Sequence, residues 1–174
     1  MLSKTIESAL NKQIRIEAES SQVYLAMAVW AEVKGLEGIS NFMYDQSDEE
    51  REHMLKLIKF VNERGGHAHI SELNAPDVTY STFREMFEKL LAHEIFVSKS
   101  INELVHTSLQ EKDYATHNFL QWYVAEQIEE EASARTILDK VNMIGDDKGG
   151  LYLFDRDIQQ LTAESAAQIP NSGI

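Results

Sequence analysis

The chain contains 174 residues, the size of one ordinary domain, and we predict a single domain over residues 1–174. Its 29 aspartates and glutamates outnumber 16 lysines and arginines, giving a net charge of −13, which argues against nucleic-acid or anionic-membrane partners. The absence of cysteine excludes disulfides, thiolate zinc sites and iron–sulfur clusters. Because there is no targeting segment and no apolar run of about 18 residues, we expect a soluble, cytoplasmic protein.

Glycines and prolines divide the sequence into four long helices and a short fifth one. The four are predicted at about residues 4–34, 37–64, 81–110 and 113–143, each about 45 Å long. Ser3, Ser81 and Asp113 are the expected N-caps of the first, third and fourth helices. The short helix is predicted at about residues 153–166, after the break at Gly149 and Gly150.

The connections between these helices predict the topology. The first and second helices, and the third and fourth, are joined by only a few residues, so each pair forms an antiparallel hairpin. The segment from Gly65 to Tyr80 between the second and third helices is about 15 residues long and reaches about 50 Å when extended. That length matches a crossover connection, and we predict an all-α four-helix bundle with a long crossover and a fifth helix.

An acid interrupts the apolar heptad row of each long helix near its middle. In a bundle of equal-length helices these acids converge on one cross-section, where unpaired carboxylates would cost several kcal/mol each. A bound cation is therefore expected among them. The rows are Leu10-Glu17-Tyr24-Ala31, Met43-Glu50-Leu57, Phe87-Glu94-Ile101 and Thr116-Tyr123-Glu130-Ile137.

An imidazole and an amide accompany the four acids. Glu50 and His53 are three residues apart and lie on one helix face. A Glu-x-x-His motif of this kind is typical of di-iron carboxylate bundles, and here Gln127-x-x-Glu130 takes the place of the second motif. Carboxylates with one imidazole suit iron or manganese. The similar pair Glu103 and His106 points away from Glu94, so we interpret it as a solvated face.

A second set of acids has two interpretations. Glu49, Glu126 and Glu129 lie beside Glu50 and Glu130, and they form either a third, looser cation site or a charged helix flank. Three aromatic side chains also have two possible interpretations. Each is either a packing residue or, next to redox iron, an electron donor; they are Tyr24, Trp122 and Tyr123.

The complete spacing closely resembles that of bacterial non-haem ferritin, over nearly the whole chain. The resemblance implies a ferritin-like bundle and a ferroxidase that oxidises Fe(II) with O2 or peroxide and deposits Fe(III) mineral inside a shell of 24 subunits. It also implies a role for each residue. Glu17, Glu50 and His53 would hold the first iron. The second iron would be held by Glu50, Glu94 and Glu130, with Gln127 nearby, and Tyr24 would lie beside this centre. A third iron would be held by Glu49, Glu126, Glu129 and Glu130.

Related families differ at particular residues. Bacterioferritins have a histidine where this chain has Glu130, and a haem-ligating methionine where it has Arg51, so we expect no haem. Rubrerythrins add a cysteine-rich module, and the DNA-protecting relatives build their metal site between subunits. By resemblance, Asp113 and His117 are candidates for lining an entry pore.

Two other functions fit a helical bundle with central acids. One is a structural or interaction protein whose acids bind no metal. The other is a di-iron enzyme that acts on an organic substrate or peroxide without storing iron. The first would show no spectral change with Fe(II) and O2, and the second would be active without a large shell.

Overall fold

The fold is an all-α bundle of four long helices and a shorter fifth one. A computed structural model describes the backbone of residues 2–167 and the side chains of residues 2–160. No strand occurs in this part of the chain, so the predicted fold class is confirmed. The last seven residues of the predicted single domain lie outside the described residues. The helices are α1 (Lys4–Val33), α2 (Glu37–Glu63), α3 (Phe83–Gln110), α4 (Tyr114–Ile144) and α5 (Lys148–Ala167).

Two of the three predicted N-caps are confirmed. Ser3 and Asp113 each accept a hydrogen bond from a backbone N–H in the first turn of their helix, at 3.3 and 3.1 Å. The prediction for α3 is wrong by one residue, because Thr82 and not Ser81 is its cap. Thr82 Oγ1 accepts from the Glu85 backbone N–H at 3.0 Å, while the Glu85 carboxylate accepts from the Ser81 N–H at 2.7 Å. This reciprocal pair fixes the start of the helix.

The predicted start of the fifth helix at about residue 153 is also wrong. The helix begins at Lys148, so Gly149 and Gly150 lie in its first turn instead of before it. The Asp147 carboxylate accepts hydrogen bonds from the backbone N–H groups of both glycines, at 3.2 and 2.9 Å. Those bonds satisfy N–H groups that have no partner within the helix and offset the low helix propensity of glycine.

The connection between α2 and α3 runs lengthwise along α1, as predicted. Near its beginning, the His69 backbone N–H donates to Asn11 Oδ1 at 2.7 Å. At its end, the Tyr80 ring packs edge-on against Trp30 with ring centroids 5.4 Å apart. The two contact points on α1 are about 28 Å apart along the helix axis. The crossover therefore makes α2 and α3 run in the same direction and α3 antiparallel to α1, as the pairs Gln13–Ser100 and Ser20–His93 show, and α3 and α4 form the second hairpin.

The core consists of two apolar clusters with a polar layer between them. Both clusters contain side chains from all four long helices. The polar layer is buried at mid-height, as the interrupted heptad rows predict. Its buried members include Gln13, Glu17, Ser20, Ser47, Glu50, His53, Glu94 and Gln127. None of the described helices is apolar enough over sufficient length to cross a membrane.

Helix α5 packs closely against the beginning of α2. Asp155 Oδ1 accepts a hydrogen bond from the backbone N–H of Ile39 at 2.9 Å. A Cβ atom at Gly38 would lie only 1.7 Å from the backbone oxygen of Asp155. Only glycine permits this approach, because the obstructing atom belongs to the backbone and not to a flexible side chain.

We expect Gly38→Ala to reduce the free energy of unfolding by about 1–3 kcal/mol, because α5 must move away from α2. Guanidinium unfolding followed by circular dichroism would measure this change. Gly149→Ala is the matched control: its Cβ would meet nothing closer than 3.6 Å, so alanine should be neutral or stabilising there. Equal unfolding midpoints for Gly38→Ala and the wild type would contradict the proposed close packing.

Candidate metal centre

Three buried side chains from the α1–α2 hairpin converge within the polar layer. Glu17 projects from α1, and Glu50 and His53 project from one face of α2. One potential ligand atom of each lies within 4.8 Å of those of the other two. Their residue exposures are 1%, 2% and 4%, so the carboxylates are shielded from water. The structure therefore brings together three of the residues expected to bind metal.

One carboxylate oxygen in this group has no hydrogen-bond partner. Glu50 Oε2 is fully buried, and among the described residues nothing donates a hydrogen bond to it. Its nearby nitrogen is His53 Nδ1, at 3.6 Å, which is too long for a hydrogen bond. An orphaned buried carboxylate is costly unless a cation or a proton compensates its charge. The oxygen donors and the imidazole fit a hard or borderline metal such as iron.

Glu17 is held in place by an amide that the sequence analysis did not assign to the site. Gln13 Nε2 donates to Glu17 Oε1 at 2.8 Å, and Ser100 Oγ on α3 donates to Gln13 Oε1 at 2.7 Å. This chain of hydrogen bonds fixes the carboxylate from the side of α3. The available signal was a polar residue one helical turn before Glu17, on the same side of α1.

Glu94 is completely buried on α3 and receives hydrogen bonds on both oxygens. The Tyr24 hydroxyl donates to Glu94 Oε1 at 2.7 Å, and Gln127 Nε2 approaches Glu94 Oε2 at 3.3 Å. Gln127 thus contacts Glu94 through its amide nitrogen. Glu94 and the partly buried Glu130 lie outside the group of three formed by Glu17, Glu50 and His53.

The predicted acids form one electrostatic unit. Burial is the main cause that raises the pKa of Glu17 and Glu50 well above the ordinary 4.5, and the Glu50 charge further raises the pKa of Glu17. Burial likewise raises the pKa of Glu94 and of Glu130, and the Glu94 charge adds to the effect on Glu130. These buried carboxylates are therefore more stable when protonated than when negatively charged. A bound divalent cation would compensate their negative charge as protons do.

A second group of possible ligands, which we call the edge group, consists of Glu49, His53 and Glu126. Their ligand atoms also lie within 4.8 Å of one another. Glu126 and Glu49 belong to the predicted acidic set, but Glu129 is exposed and lies outside the group, and Glu130 is absent from it as well. The structure instead adds His53, which belongs to both groups.

The edge group opens onto a cleft between α2 and α4. No Cα atom of α2 lies within 8 Å of one of α4, and the cleft between the two helices has a volume of about 630 Å³. The cleft gives this group access to solvent, whereas Glu17 and Glu50 are enclosed. Its lining residues include Glu49, Glu52, His53, Lys56, Lys59, Glu63 and Trp122.

The aromatic side chains near the centre all have packing contacts. Trp122 meets the His53 ring edge-on, with centroids 5.2 Å apart. The Tyr123 hydroxyl donates to the His53 backbone oxygen at 2.8 Å. Tyr24, Trp122 and Tyr123 therefore support the positions of His53 and Glu94, and their role as electron donors stays a prediction.

The remaining sequence candidates lie away from both groups. Glu103 and His106 are exposed, so their interpretation as a solvated face is confirmed. Asp113 caps α4 and pairs with Arg64 at 3.1 Å, which gives its carboxylate a structural function. His117 lies one turn further along α4, and the pore function of Asp113 and His117 stays a prediction.

The chain matches known proteins over most of its length. A family model described as a ferritin-like domain matches residues 7–144. A probable bacterial non-haem ferritin-like protein of Haemophilus influenzae is 42% identical, over 95% of this chain and 100% of the relative. A bacterial non-haem ferritin of Campylobacter jejuni is 43% identical, over 92% of this chain and 96% of the relative.

The structural comparison agrees with the sequence relatives. An open-pore ferritin from the hyperthermophilic archaeon Archaeoglobus fulgidus matches with a TM-score of 0.89 and 44% identity. The match covers 91% of this chain and 98% of the archaeal one. The chain belongs to the ferritin family, as a relative of the bacterial non-haem ferritins.

Proposed function

We propose that this chain is the subunit of an iron-storing ferroxidase, with Fe(II) as its substrate. The observation that carries the proposal is the buried group of Glu17, Glu50 and His53, in which Glu50 Oε2 has no hydrogen-bond partner among the described residues. Membership of the ferritin family supports iron as the metal and storage as the purpose.

The residues fall into three proposed iron positions. Glu17, Glu50 and His53 hold the first iron. Glu50 bridges to a second iron, which Glu94 and Glu130 complete, with Gln127 beside them. A third, more open position is proposed at Glu49 and Glu126, with Glu129 and Glu130 at its border. The edge group supports this third position, and it adds His53 to the possible ligands.

The chemistry follows from the donor atoms. Anionic carboxylate oxygens stabilise Fe(III) more than Fe(II), which lowers the reduction potential and favours oxidation. Each of two Fe(II) ions gives up one electron, and the two electrons with two protons from water reduce O2 to hydrogen peroxide, or hydrogen peroxide to two water molecules. The Tyr24 hydroxyl and the Gln127 amide keep Glu94 oriented toward the centre. The open cleft beside the edge group offers the oxidised iron a way out.

The test combines oxidation with assembly. Fe(II) added in air to the purified protein should give the absorbance of Fe(III) much faster than the same Fe(II) in buffer. Light scattering after size exclusion should give about 24 times the chain mass of 19.8 kDa, as expected from the family resemblance.

The alternative functions predict different results. A helical protein that binds no metal would show no accelerated oxidation. A di-iron enzyme without storage would oxidise Fe(II) as a monomer or dimer and would retain only a few irons per chain. Either result would refute the storage proposal.

A further inference from the structure

A lysine lies beside the edge group, where a cation site would be expected to exclude positive charge. Lys56 lines the cleft together with Glu49, His53 and Trp122. Its ammonium nitrogen lies over the Trp122 ring, 3.1 Å from the ring centroid. The same Trp122 ring meets the His53 ring edge-on, so Trp122 contacts both Lys56 and His53 at the border of the edge group.

The ammonium group of Lys56 is not neutralised by an ion pair. Among the described residues, no carboxylate oxygen lies within 4.0 Å of its nitrogen. Partial burial lowers the pKa of Lys56, and the charge of Glu126 opposes that effect. The ammonium group is held instead by a cation–π interaction with the Trp122 ring. Lys56 therefore presents a fixed positive charge close to Glu126.

Helix geometry directs this charge toward the edge group. Lys56 follows His53 by three residues and Glu49 by seven, so the three side chains share one face of α2. Side chains on a helix lean toward its N-terminus, which brings Lys56 back over His53. The edge group is more than an acidic cluster, because His53 is only 4% exposed and its ring makes no hydrogen bond with any described residue.

We propose that Lys56 weakens cation binding at the edge group, so that iron passes through this position instead of remaining there. The inference rests on the proposed function, since it regulates the third iron position. A positive charge repels a divalent ion, and the repulsion is stronger in a partly desolvated cleft than in water. Glu17 and Glu50, the two carboxylates of the buried group, do not line the cleft that Lys56 lines, so the buried group should retain its high affinity.

The experiment uses Zn²⁺ as a redox-inert probe in the full assembled protein. Isothermal titration should show that Lys56→Gln tightens the weaker class of Zn²⁺ sites by about tenfold and leaves the tighter class unchanged. Lys56→Arg keeps the charge over Trp122 and should behave as the wild type. Adding Glu126→Gln to Lys56→Gln should abolish the gain, because the edge group then lacks one of its carboxylates.

The matched control is Lys59→Gln, which removes the same charge from an exposed residue of the same cleft. Its effect on the weaker Zn²⁺ sites should be at most about twofold. Equal tightening by Lys59→Gln, or no tightening by Lys56→Gln, would overturn the proposal. Circular dichroism and particle mass should match the wild type in every variant, since Lys56 and Lys59 line the cleft and Glu126 is only partly buried.

A second readout connects Lys56 to iron movement. After a first addition of Fe(II) has been oxidised, Lys56→Gln should regain its initial rate several-fold more slowly than the wild type, because iron remains at the edge group. The Zn²⁺ titration does not depend on oxidation. If no variant oxidises Fe(II) but the titration behaves as expected, the proposed ferroxidase function fails while the assignment of Lys56 stands.

Discussion

Glu50→Gln is expected to slow aerobic Fe(II) oxidation by about 100-fold or more, measured as the initial rate of Fe(III) absorbance. Glu50 is the only proposed ligand that serves both irons of the pair, and its Oε2 has no other partner among the described residues. Glutamine has nearly the same shape but lacks the negative charge, so the variant should fold and assemble while binding iron poorly.

Glu52→Gln is the control for this experiment. It lies two residues further along α2, is exposed, and changes the net charge by the same amount. Its oxidation rate should equal that of the wild type. If Glu50→Gln and Glu52→Gln oxidise Fe(II) at the same rate, the oxidation site lies elsewhere and the assignment of Glu50 is wrong.

The second large effect is a loss of stability of the metal-free protein as the pH rises above about 4.5. Burial raises the folded-state pKa of Glu17, Glu50, Glu94 and Glu130 above the ordinary glutamate value of 4.5. In that pH range the folded protein binds more protons than the unfolded chain, so the free energy of unfolding falls as protons are removed. Each unit by which a pKa is raised corresponds to about 1.4 kcal/mol.

Guanidinium unfolding at pH 5 and pH 8, followed by circular dichroism, measures this effect. The chelator-treated protein should be less stable at pH 8. Saturating Zn²⁺ should reduce or reverse the difference, because the metal binds the deprotonated carboxylates of the folded state only. Glu50→Gln should show a smaller pH dependence than the wild type. A metal-free protein that is equally stable at both pH values would contradict the electrostatic description of the polar layer.

The level of the central acids along the bundle, and the helix face on which each one lies, were predictable because helix periodicity is regular. Seven residues make nearly two turns, so Glu17 and Tyr24 necessarily lie on one face of α1, and the apolar residues of that face show that it is buried. The lengths of the connections then predicted which helices are neighbours. Two antiparallel hairpins and one lengthwise crossover are sufficient to bring four mid-helix acids to one level.

Contacts between helices were not predictable in the same way. Gln13 lies one helical turn before Glu17 on α1, but its function depends on Ser100 of α3 reaching its carbonyl oxygen. The edge group contains His53 and lacks Glu129 because the separation of α2 and α4 decides which side chains approach each other. Periodicity gives no information on that separation.

By itself, the sequence determined the all-α class, the helix order, the crossover and the common level of the acids, because these depend on periodicity and on chain length. Only the tertiary structure decided which acids lie close enough to His53 to bind one metal ion together with it. It also decided where Lys56 places its charge and how Asp147 allows α5 to begin at Lys148. Those features depend on side-chain conformations and on distances between helices, which are set when the whole bundle packs.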